Sequence, residues 1–359
     1  MERSRENKRH ETKKGAVMQN RAAIMYGTHD IRLEDKPVPE PGSKEVLVEI
    51  RAVGVCGSDV HYYEEGRIGS FVVREPLILG HESMGTVVAL GEKATKHEVG
   101  ERVALEPGVP DLTCRECRAG HYNLCPNVRF FATPPIDGAF TNYVTIHEDF
   151  AFTLPDNLSD NAGALMEPLS VGIWACWKAN VRAGNHVLVT GAGPIGLLAM
   201  QVALAEGATE VTITDVSQER LEIAEKTGAT RAINVSEEQL AEADVEVDAL
   251  IECSGNEAAL GDGIRCIRPA GTAVVVGMGP DEESSIPLAL IQNKEIWLTG
   301  TFRYANTYPA AIELAATGRV DLDAIVTSYY GLEDTEEALQ ASRKDPANVK
   351  PMVIANSSE

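Results

Sequence analysis

A six-residue glycine motif, G-A-G-P-I-G at residues 191–196, constrains the fold of this chain more than any other stretch. It follows the apolar run HVLVT and opens the helix-like run PIGLLAMQVALA. There Gly191 permits a tight turn, Gly193 lets the backbone approach a pyrophosphate, and Gly196 lets the helix pack closely on the strand. Pro194 suits the first helical turn, where its missing N–H costs nothing. The motif predicts a dinucleotide site at a helix N-terminus, with a ligand-free glycine turn as the alternative.

An acidic residue follows at the distance that such sites use. Asp215 ends the next apolar run, EVTITD, and lies 19 residues after Gly196. Its carboxylate can accept hydrogen bonds from ribose hydroxyl groups and would repel a 2′-phosphate, so we expect NAD rather than NADP. Arg220 complicates this prediction, because a guanidinium can neutralise a phosphate.

The two halves of the chain have different patterns. After the glycine motif, strand-like runs (EVTITD, DALIECSG, TAVVVGMG, EIWLTGTF) alternate with helix-like runs, which predicts a doubly wound parallel sheet. The earlier part contains short β-like runs such as KEVLVEIRAVGV and ERVALEP. We therefore expect an α/β plus β protein. A Rossmann coenzyme domain would span residues 167–304, and a β-rich domain would span residues 21–166 and be rejoined by residues 305–359.

The net charge of the chain disfavours some classes of binding partner. The chain has 54 Asp and Glu against 32 Lys and Arg, a formal net charge of −22, which disfavours nucleic acid and anionic membranes. Adaptation to high salt and an ordinary acidic enzyme both fit this excess. No apolar run is long enough to predict a membrane span.

The first 20 residues and the cysteines indicate the cellular compartment. Residues 1–20 lack an apolar segment, so they predict a disordered tail, or a start at Met18, and not a secretory signal. Seven cysteines, three of them clustered, fit a reducing compartment, and we expect a cytoplasmic protein.

Metal-binding side chains recur in the β-rich half. Cys56 lies in GVCGSDVH, and His81 and Glu82 follow in GHE. Zinc accepts a thiolate, an imidazole and a carboxylate, and three protein ligands leave a fourth position open for chemistry. Glu167, in MEPLSVG at the seam between the halves, can ligate the metal or hold its water. Each residue alone is more often a packing or core polar residue. Their combination beside a dinucleotide fold predicts a catalytic metal.

A second group of candidate ligands has one unusual member. In DLTCRECRAGHYNLC, Asp111 precedes Cys114, Cys117 and Cys125 with two, two and seven residues between successive positions. The residues leave open a zinc site with one oxygen ligand, an emptied site and a plain loop. His121 is an alternative ligand within the same stretch.

These motifs together resemble the zinc-dependent medium-chain alcohol dehydrogenase family. The resemblance rests on G-H-E, C-G-S-D-V-H, the C-x2-C-x7-C lobe and G-A-G-P-I-G. Within that family, CGSDVHYYEEGRIGSFVV, EPGVP, FFATPP, EPLSVGI and FRYANT are most similar to the polyol branch of sorbitol and xylitol dehydrogenases. The likeness extends from about Arg21 to near the end of the chain. It implies a GroES-like fold for the β-rich domain.

The resemblance also implies roles for individual residues. Cys56, His81 and Glu82 would bind catalytic zinc, with Glu167 on the metal or its water. Asp59 would orient His81, and Ser58 would touch the substrate oxygen. Zinc would make the bound alcohol more acidic, hydride would pass to the nicotinamide, and the proton would leave through Ser58 and His61. An ordinary polar role for His61 remains an alternative.

Further residues are assigned to the substrate, the coenzyme and a structural metal by the same resemblance. The family's lobe uses four cysteines for structural zinc, so Asp111 is a departure that leaves occupancy open. The substrate pocket would be lined by Tyr62, Ile68, Phe130, Arg303 and Tyr304. The coenzyme would contact Gly191, Gly193, Pro194, Ile195, Gly196, Asp215, Arg220, Phe302 and Arg303.

The expected activity is oxidation of a secondary alcohol of a polyol to a ketose, with Zn²⁺ and NAD. Threonine, butanediol and aldose substrates on the same scaffold remain alternatives, as does a non-catalytic protein that binds metal and nucleotide. The strand EIWLTGTF would lie at the sheet edge and could pair with a second subunit, giving a dimer. The family resemblance implies a tetramer as the alternative assembly.

Overall fold

A computed structural model describes residues 19–279 and 283–356 of the chain. Most of the expected N-terminal tail lies outside these described residues. Asn20, which that prediction includes, is already the first residue of a strand. Among the described residues, no helix combines the length and the apolar character that crossing a bilayer requires.

Twenty strands make up the sheets of the described chain. Their bounds are β1 (Asn20–Gly27), β2 (Asp30–Lys36), β3 (Glu45–Gly54), β4 (Arg67–Ile68), β5 (Phe71–Val72), β6 (Leu77–Ile78), β7 (Glu82–Leu90), β8 (Arg102–Leu105), β9 (Gly108–Val109), β10 (Arg129–Phe130), β11 (Tyr143–His147), β12 (Ala151–Thr153), β13 (His186–Thr190), β14 (Glu210–Asp215), β15 (Arg231–Asn234), β16 (Val247–Glu252), β17 (Ile267–Val275), β18 (Trp297–Gly300), β19 (Val326–Gly331) and β20 (Lys350–Ile354).

Ten α-helices and five short 3₁₀ turns connect these strands in the described ranges. The helices are α1 (Gly57–Glu65), α2 (Arg115–Arg118), α3 (Asp160–Ala164), α4 (Met166–Ala179), α5 (Pro194–Ala205), α6 (Gln218–Lys226), α7 (Glu257–Arg265), α8 (Leu288–Asn293), α9 (Tyr308–Ala316) and α10 (Thr335–Lys344). The 3₁₀ turns are Tyr122–Leu124, Glu148–Phe150, Leu240–Glu242, Asp323–Ile325 and Leu332–Asp334.

The second half of the chain forms the parallel sheet that its alternating pattern predicts. Six strands lie in the order β15-β14-β13-β16-β17-β18, and all five neighbouring pairs are parallel. The strand order reverses direction between β13 and β16, which is where ligands bind in open sheets of this type. β18 lies at one edge of this sheet, as expected for the run EIWLTGTF. The doubly wound prediction is confirmed.

The first half forms a mainly antiparallel sheet that the chain end completes. Six strands follow the order β12-β8-β7-β3-β20-β19, and β11 also pairs with β3. β20 pairs antiparallel with β3 through Met352 opposite Gly54, Val353 opposite Val53 and Ile354 opposite Ala52. Strand β20, the last strand of the described residues, therefore lies beside β3, which leads directly into the predicted metal ligands.

A continuous apolar core joins the two sheets. One buried cluster contains Ala52 and Met84 of the antiparallel sheet together with Leu169 of α4 and Val189 of β13. Helix α4 is apolar over most of its length and packs against both α5 and α9. Because Glu167 lies in its first turn, this packing holds a carboxylate at the junction of the sheets.

Candidate active site

Three predicted metal ligands come together where β3, α1 and β7 meet. Cys56 is the N-cap of α1, His81 precedes β7, and Glu82 is the first residue of β7, paired with Gly54 of β3. One donor atom from each of the three side chains lies within 4.8 Å of the others. A thiol, an imidazole and a carboxylate at this spacing are a donor set that fits zinc.

The carboxylate of Asp59 contacts the backbone and the imidazole ring of this cluster. Its Oδ2 accepts a hydrogen bond from the Cys56 amide at 3.1 Å, and its Oδ1 accepts one from the Gly80 amide at 2.9 Å. The same Oδ1 lies 3.4 Å from Nδ1 of His81. Burial disfavours the charged form of His81, but Asp59 and Cys56 outweigh burial and raise its pKa well above the ordinary value. A carboxylate on one ring nitrogen leaves the other free for a metal.

A buried lysine that the sequence analysis did not identify contacts the third donor. Nζ of Lys350 lies 2.9 Å from Oε1 and 2.8 Å from Oε2 of Glu82, and it donates to the Val55 carbonyl at 2.9 Å. Lys350 and Glu82 are almost wholly buried. The two residues lie 268 positions apart, so no local motif could have identified the pair.

Two further buried carboxylates lie near the cluster. Burial raises the pKa of Glu167 to about 7, and the neighbouring charge of Glu82 adds to the rise. Burial also raises the pKa of Glu106 to about 7, although a 2.6 Å hydrogen bond from the Tyr122 hydroxyl opposes it. Glu167 does not belong to the three-donor cluster. Glu106 was missed as a candidate, although it opens the quoted motif EPGVP.

An aromatic and cationic wall faces the donors. The guanidinium carbon of Arg303 lies 3.8 Å from the ring centroid of Phe130, whose ring centroid is 5.8 Å from that of His81. Burial raises the pKa of Tyr62, whereas the positive charges of Arg303 and His81 act to lower it. Burial and the nearby Glu167 raise the pKa of Tyr304. Four of the five predicted substrate residues thus lie close to His81 or Glu167, or contact a residue that does.

Ser58, His61 and Ile68 follow the first donor along the chain. Ser58 lies in the first turn of α1 and is half-buried. His61 lies one turn further and is 42 % exposed at its side chain, with Nδ1 3.6 Å from Oε1 of Glu65. Ile68 lies in β4 and packs against the buried cluster that contains Tyr62.

The glycine motif borders a cavity of about 580 Å³. Gly191 has φ +88°, a conformation that favours glycine, and a Cβ on Gly196 would lie 1.8 Å from the Gly191 carbonyl oxygen. A Cβ on Gly193 would meet no atom within 4 Å, because this glycine faces open space at the cavity wall. Pro194 begins α5, and Ile195 follows it in the first turn. A cavity beside an open helix N-terminus fits a dinucleotide.

The acidic residue and the arginine of the coenzyme prediction line the same cavity. Asp215 accepts hydrogen bonds from the amides of Ala192 at 2.7 Å and Ser217 at 2.9 Å. Nε of Arg220 donates to the Pro346 carbonyl at 2.9 Å, so part of its guanidinium is already engaged. Phe302 and Arg303 are not among the residues that line this cavity.

The four positions of the lobe also converge. Donor atoms of Asp111, Cys114, Cys117 and Cys125 all lie within 4.8 Å of one another, and His121 is not in the group. Hydrogen bonds from Asn127 and then from the Cys114 amide lower the pKa of Asp111. An ionised oxygen beside three thiols is a set that zinc accepts.

Comparison with family models places both halves in one group. Residues 42–156 match the model described as the alcohol dehydrogenase GroES-like domain, and residues 194–317 match the model described as zinc-binding dehydrogenase. The first match covers Cys56, His81 and Glu82, and the second covers Gly196 and Asp215.

Curated proteins similar to this chain include sorbitol dehydrogenases. The chain is 45% identical over 331 residues to that of Bacillus subtilis (strain 168), covering 90% of this chain and 94% of that protein. It is 44% identical over 337 residues to that of Bos taurus, covering 92% and 94% respectively.

Solved structures share the whole architecture. An oxidoreductase of unknown specificity from Escherichia coli superposes with a TM-score of 0.90 at 37% identity, covering 95% of this chain and 100% of that one. A zinc-binding dehydrogenase from Sinorhizobium meliloti 1021, bound to NADP, superposes with a TM-score of 0.87 at 30% identity, covering 94% and 100%.

Proposed function

Because the chain belongs to the zinc-binding dehydrogenases of the GroES-like alcohol dehydrogenase family, we propose that it is an NAD-dependent polyol dehydrogenase. It would oxidise a secondary alcohol of a sugar alcohol to a ketose. The observation that carries the proposal is the position of the Cys56, His81 and Glu82 donors beside the Arg303 and Phe130 wall.

The catalytic metal would be held by the three donors. Zinc, when bound, supplies Lewis acidity that makes an alcohol hydroxyl easier to deprotonate, and the nicotinamide accepts a hydride. Asp59 would keep the His81 ring in place, and Lys350 would offset the charge of Glu82. Glu167 is buried outside the three-donor cluster, so its role would be to hold water or hydroxyl groups beside the cluster, not to complete the ligand set.

The substrate would lie between the donors and the aromatic wall. Arg303 forms no ion pair with a carboxylate within residues 19–279 and 283–356, and its one side-chain hydrogen bond there is 3.4 Å long, to Thr133. Its donors are therefore available to the several hydroxyl groups of a polyol. Tyr62 and Tyr304 would supply further hydroxyl contacts, and Phe130 and Ile68 would supply apolar surface.

The proton would leave along the first helix. Ser58 follows Cys56 by two positions and can accept the proton of the substrate hydroxyl. His61 is partly exposed, which suits a group that passes a proton to solvent, and Glu65 lies close enough to stabilise the imidazolium.

The coenzyme would be NAD. Both oxygens of Asp215 accept backbone hydrogen bonds, which keeps the carboxylate at the cavity wall where an adenosine ribose would lie. A 2′-phosphate there would meet this negative charge. Since a related dehydrogenase binds NADP, the choice is tested by comparing kcat/KM for the two coenzymes. A preference for NADP would overturn it.

The lobe would hold a second, structural zinc. A site filled by Asp111 and three thiolates has no open position, so it would stabilise the lobe and take no part in the reaction.

The assembly would be a homo-oligomer in the cytoplasm. At the sheet edge, Trp297 of β18 is 74% exposed and Leu298 is 41% exposed. Pairing of this edge with a second copy would bury both side chains. The coenzyme domain would span residues 167–304, and the β-rich domain would span residues 21–166 and 305–359.

The function is tested with purified, zinc-loaded protein and a substrate panel. NADH absorbance is followed with sorbitol, xylitol, ribitol, threonine, butanediol and glucose. Higher kcat/KM for the polyols is expected, because Arg303 and the two tyrosines offer several polar groups. Higher values for threonine, butanediol or glucose would replace the substrate class, and no turnover with any of them would favour a non-catalytic binding protein.

A further inference from the structure

The loop that carries Arg303 and Tyr304 is bound directly to the lobe. We call residues 302–306 the substrate loop and residues 111–125 the lobe. Nδ2 of Asn123 donates to the Phe302 carbonyl at 2.8 Å, and the Asn306 amide donates to the Tyr122 hydroxyl oxygen at 2.8 Å. Nδ2 of Asn306 also lies 3.3 Å from the Gly120 carbonyl.

These hydrogen bonds fall at the two left-handed positions of the substrate loop. Arg303 has φ +57° and Asn306 has φ +59°, a region that is uncommon for arginine and easier for asparagine. The Asn123 bond orients the peptide group immediately before Arg303. The Tyr122 bond holds the amide of Asn306 itself. The lobe therefore supplies restraint where the backbone needs it.

The lobe side of the contact is itself firmly held. Asn123 is buried, and the Tyr122 hydroxyl donates to the buried carboxylate of Glu106 at 2.6 Å. Both residues lie on the 3₁₀ turn between Cys117 and Cys125, so two donors of the lobe cluster flank the segment that contacts the substrate loop. Ordering the donors would order this turn.

We propose that Asn123 and Tyr122 are positioning residues for the polyol pocket, and that they connect the lobe cluster to the orientation of Arg303. This inference rests on the proposed function for the identity of the substrate. Neither residue touches the reacting atoms. Their contribution is to hold the Arg303 backbone so that the guanidinium stays against Phe130 and faces the substrate.

The proposal predicts which kinetic constant changes. Hydroxyl groups bound by Arg303 lie away from the reacting carbon, so they are held alike in the ground state and in the transition state. Loss of that contact raises KM for the polyol and leaves kcat nearly unchanged. Contacts of the coenzyme with the cavity beside the glycine motif should not change, because the residues that line this cavity lie outside the substrate loop.

The first experiment compares Asn123→Leu, Tyr122→Phe and Leu124→Ala as zinc-loaded proteins. Leucine keeps the branched shape of Asn123 without its donor, and Leu124 is a half-exposed neighbour on the same turn. With the best polyol of the panel, the first two variants should raise KM by about five- to thirty-fold, with kcat within about twofold. Leu124→Ala should match wild type. An unchanged polyol KM in Asn123→Leu, or a fall in kcat alone, would overturn the proposal.

A second readout does not depend on activity. Amide hydrogen exchange of residues 301–307 should be about tenfold faster in Asn123→Leu than in wild type, while peptides from α4 and α5 exchange as before. Unchanged exchange in the substrate loop would refute the positioning role whatever the substrate proves to be. Faster exchange in a protein that oxidises no polyol would refute the proposed function and leave the contact established.

Discussion

Lys350 and Glu82 form a buried ion pair inside the group of proposed metal ligands, with Nζ 2.8 Å from Oε2. The pair places a positive charge directly behind a residue that would otherwise add negative charge to the site. Gly54, opposite Glu82, makes room for it: a Cβ there would lie 2.1 Å from Oε2. The carboxylate is therefore paired with a cation before any metal binds.

Replacing Lys350 by methionine should destabilise the metal-free protein more than the zinc-loaded protein. It leaves a buried carboxylate without a partner, which typically costs about 3–5 kcal/mol. Bound zinc would offset much of that charge, so the loaded protein should lose less. Thermal melting with zinc and with a chelator measures both values, and Lys344→Met, at an exposed lysine, is the control. Equal losses in the two conditions would contradict the role assigned to Lys350.

Glu106 should make stability depend on pH. Its carboxyl group has a pKa of about 7 in the folded protein, above the ordinary value of 4.5. The folded state then binds more protons than the unfolded state between these values, so the free energy of unfolding falls as pH rises from about 4.5 to 7. The contribution is up to about 3 kcal/mol.

Glu106→Gln should flatten that dependence, because glutamine still accepts from Tyr122 but does not ionise. Denaturant unfolding of metal-free protein at a series of pH values measures it. Glu222→Gln, at an exposed glutamate of α6, is the control and should keep the wild-type slope. An identical pH dependence in wild type and Glu106→Gln would show that Glu106 ionises without cost.

Two glycines of the coenzyme motif should respond in opposite ways to alanine. Gly193 has φ −73° and open space around a Cβ, so Gly193→Ala should keep its melting temperature and bind NAD at least about tenfold more weakly. Gly196→Ala places a Cβ against the Gly191 carbonyl oxygen and should lose stability. Calorimetry for NAD binding and thermal melting separate the two effects. Unweakened NAD binding in Gly193→Ala would count against the assigned cradle.

The lobe cluster should be visible in the metal content. Purified protein should contain about two zinc ions per chain, and Cys117→Ser should contain about one. Cys266→Ala, a change at a buried packing cysteine, should keep both. Mass spectrometry with elemental analysis provides the count. A wild-type value near one would mean that Asp111 does not replace a thiolate as a zinc ligand.

Ser58 should affect turnover without affecting the metal. Ser58→Ala removes the hydroxyl nearest to Cys56 in sequence and should lower kcat at least about tenfold while zinc content stays the same. The conservative variant Ser58→Thr keeps a hydroxyl at this position and should restore most of the rate. Wild-type turnover in Ser58→Ala would remove the serine from the proton path.

Short-range chemistry was readable from the sequence. The G-A-G-P-I-G turn predicted a dinucleotide site at a helix N-terminus, and the alternation of strand-like and helix-like runs after it predicted the parallel sheet. Cys56, Asp59 and Ser58 lie within one helical turn of one another, so their spacing already placed them together. His81 and Glu82 could be grouped with Cys56 because their ligand types and the family resemblance agree.

Long-range pairing was decided only by the tertiary structure. Lys350 reaches Glu82 because β20 lies beside β3, and Tyr122 and Asn123 reach the substrate loop because the lobe folds against it. Each contact joins residues at least 179 positions apart, and no local pattern records which strand becomes a neighbour. Sequence spacing determines which groups share a turn, whereas the packing of the sheets determines which buried charges and left-handed peptides find partners.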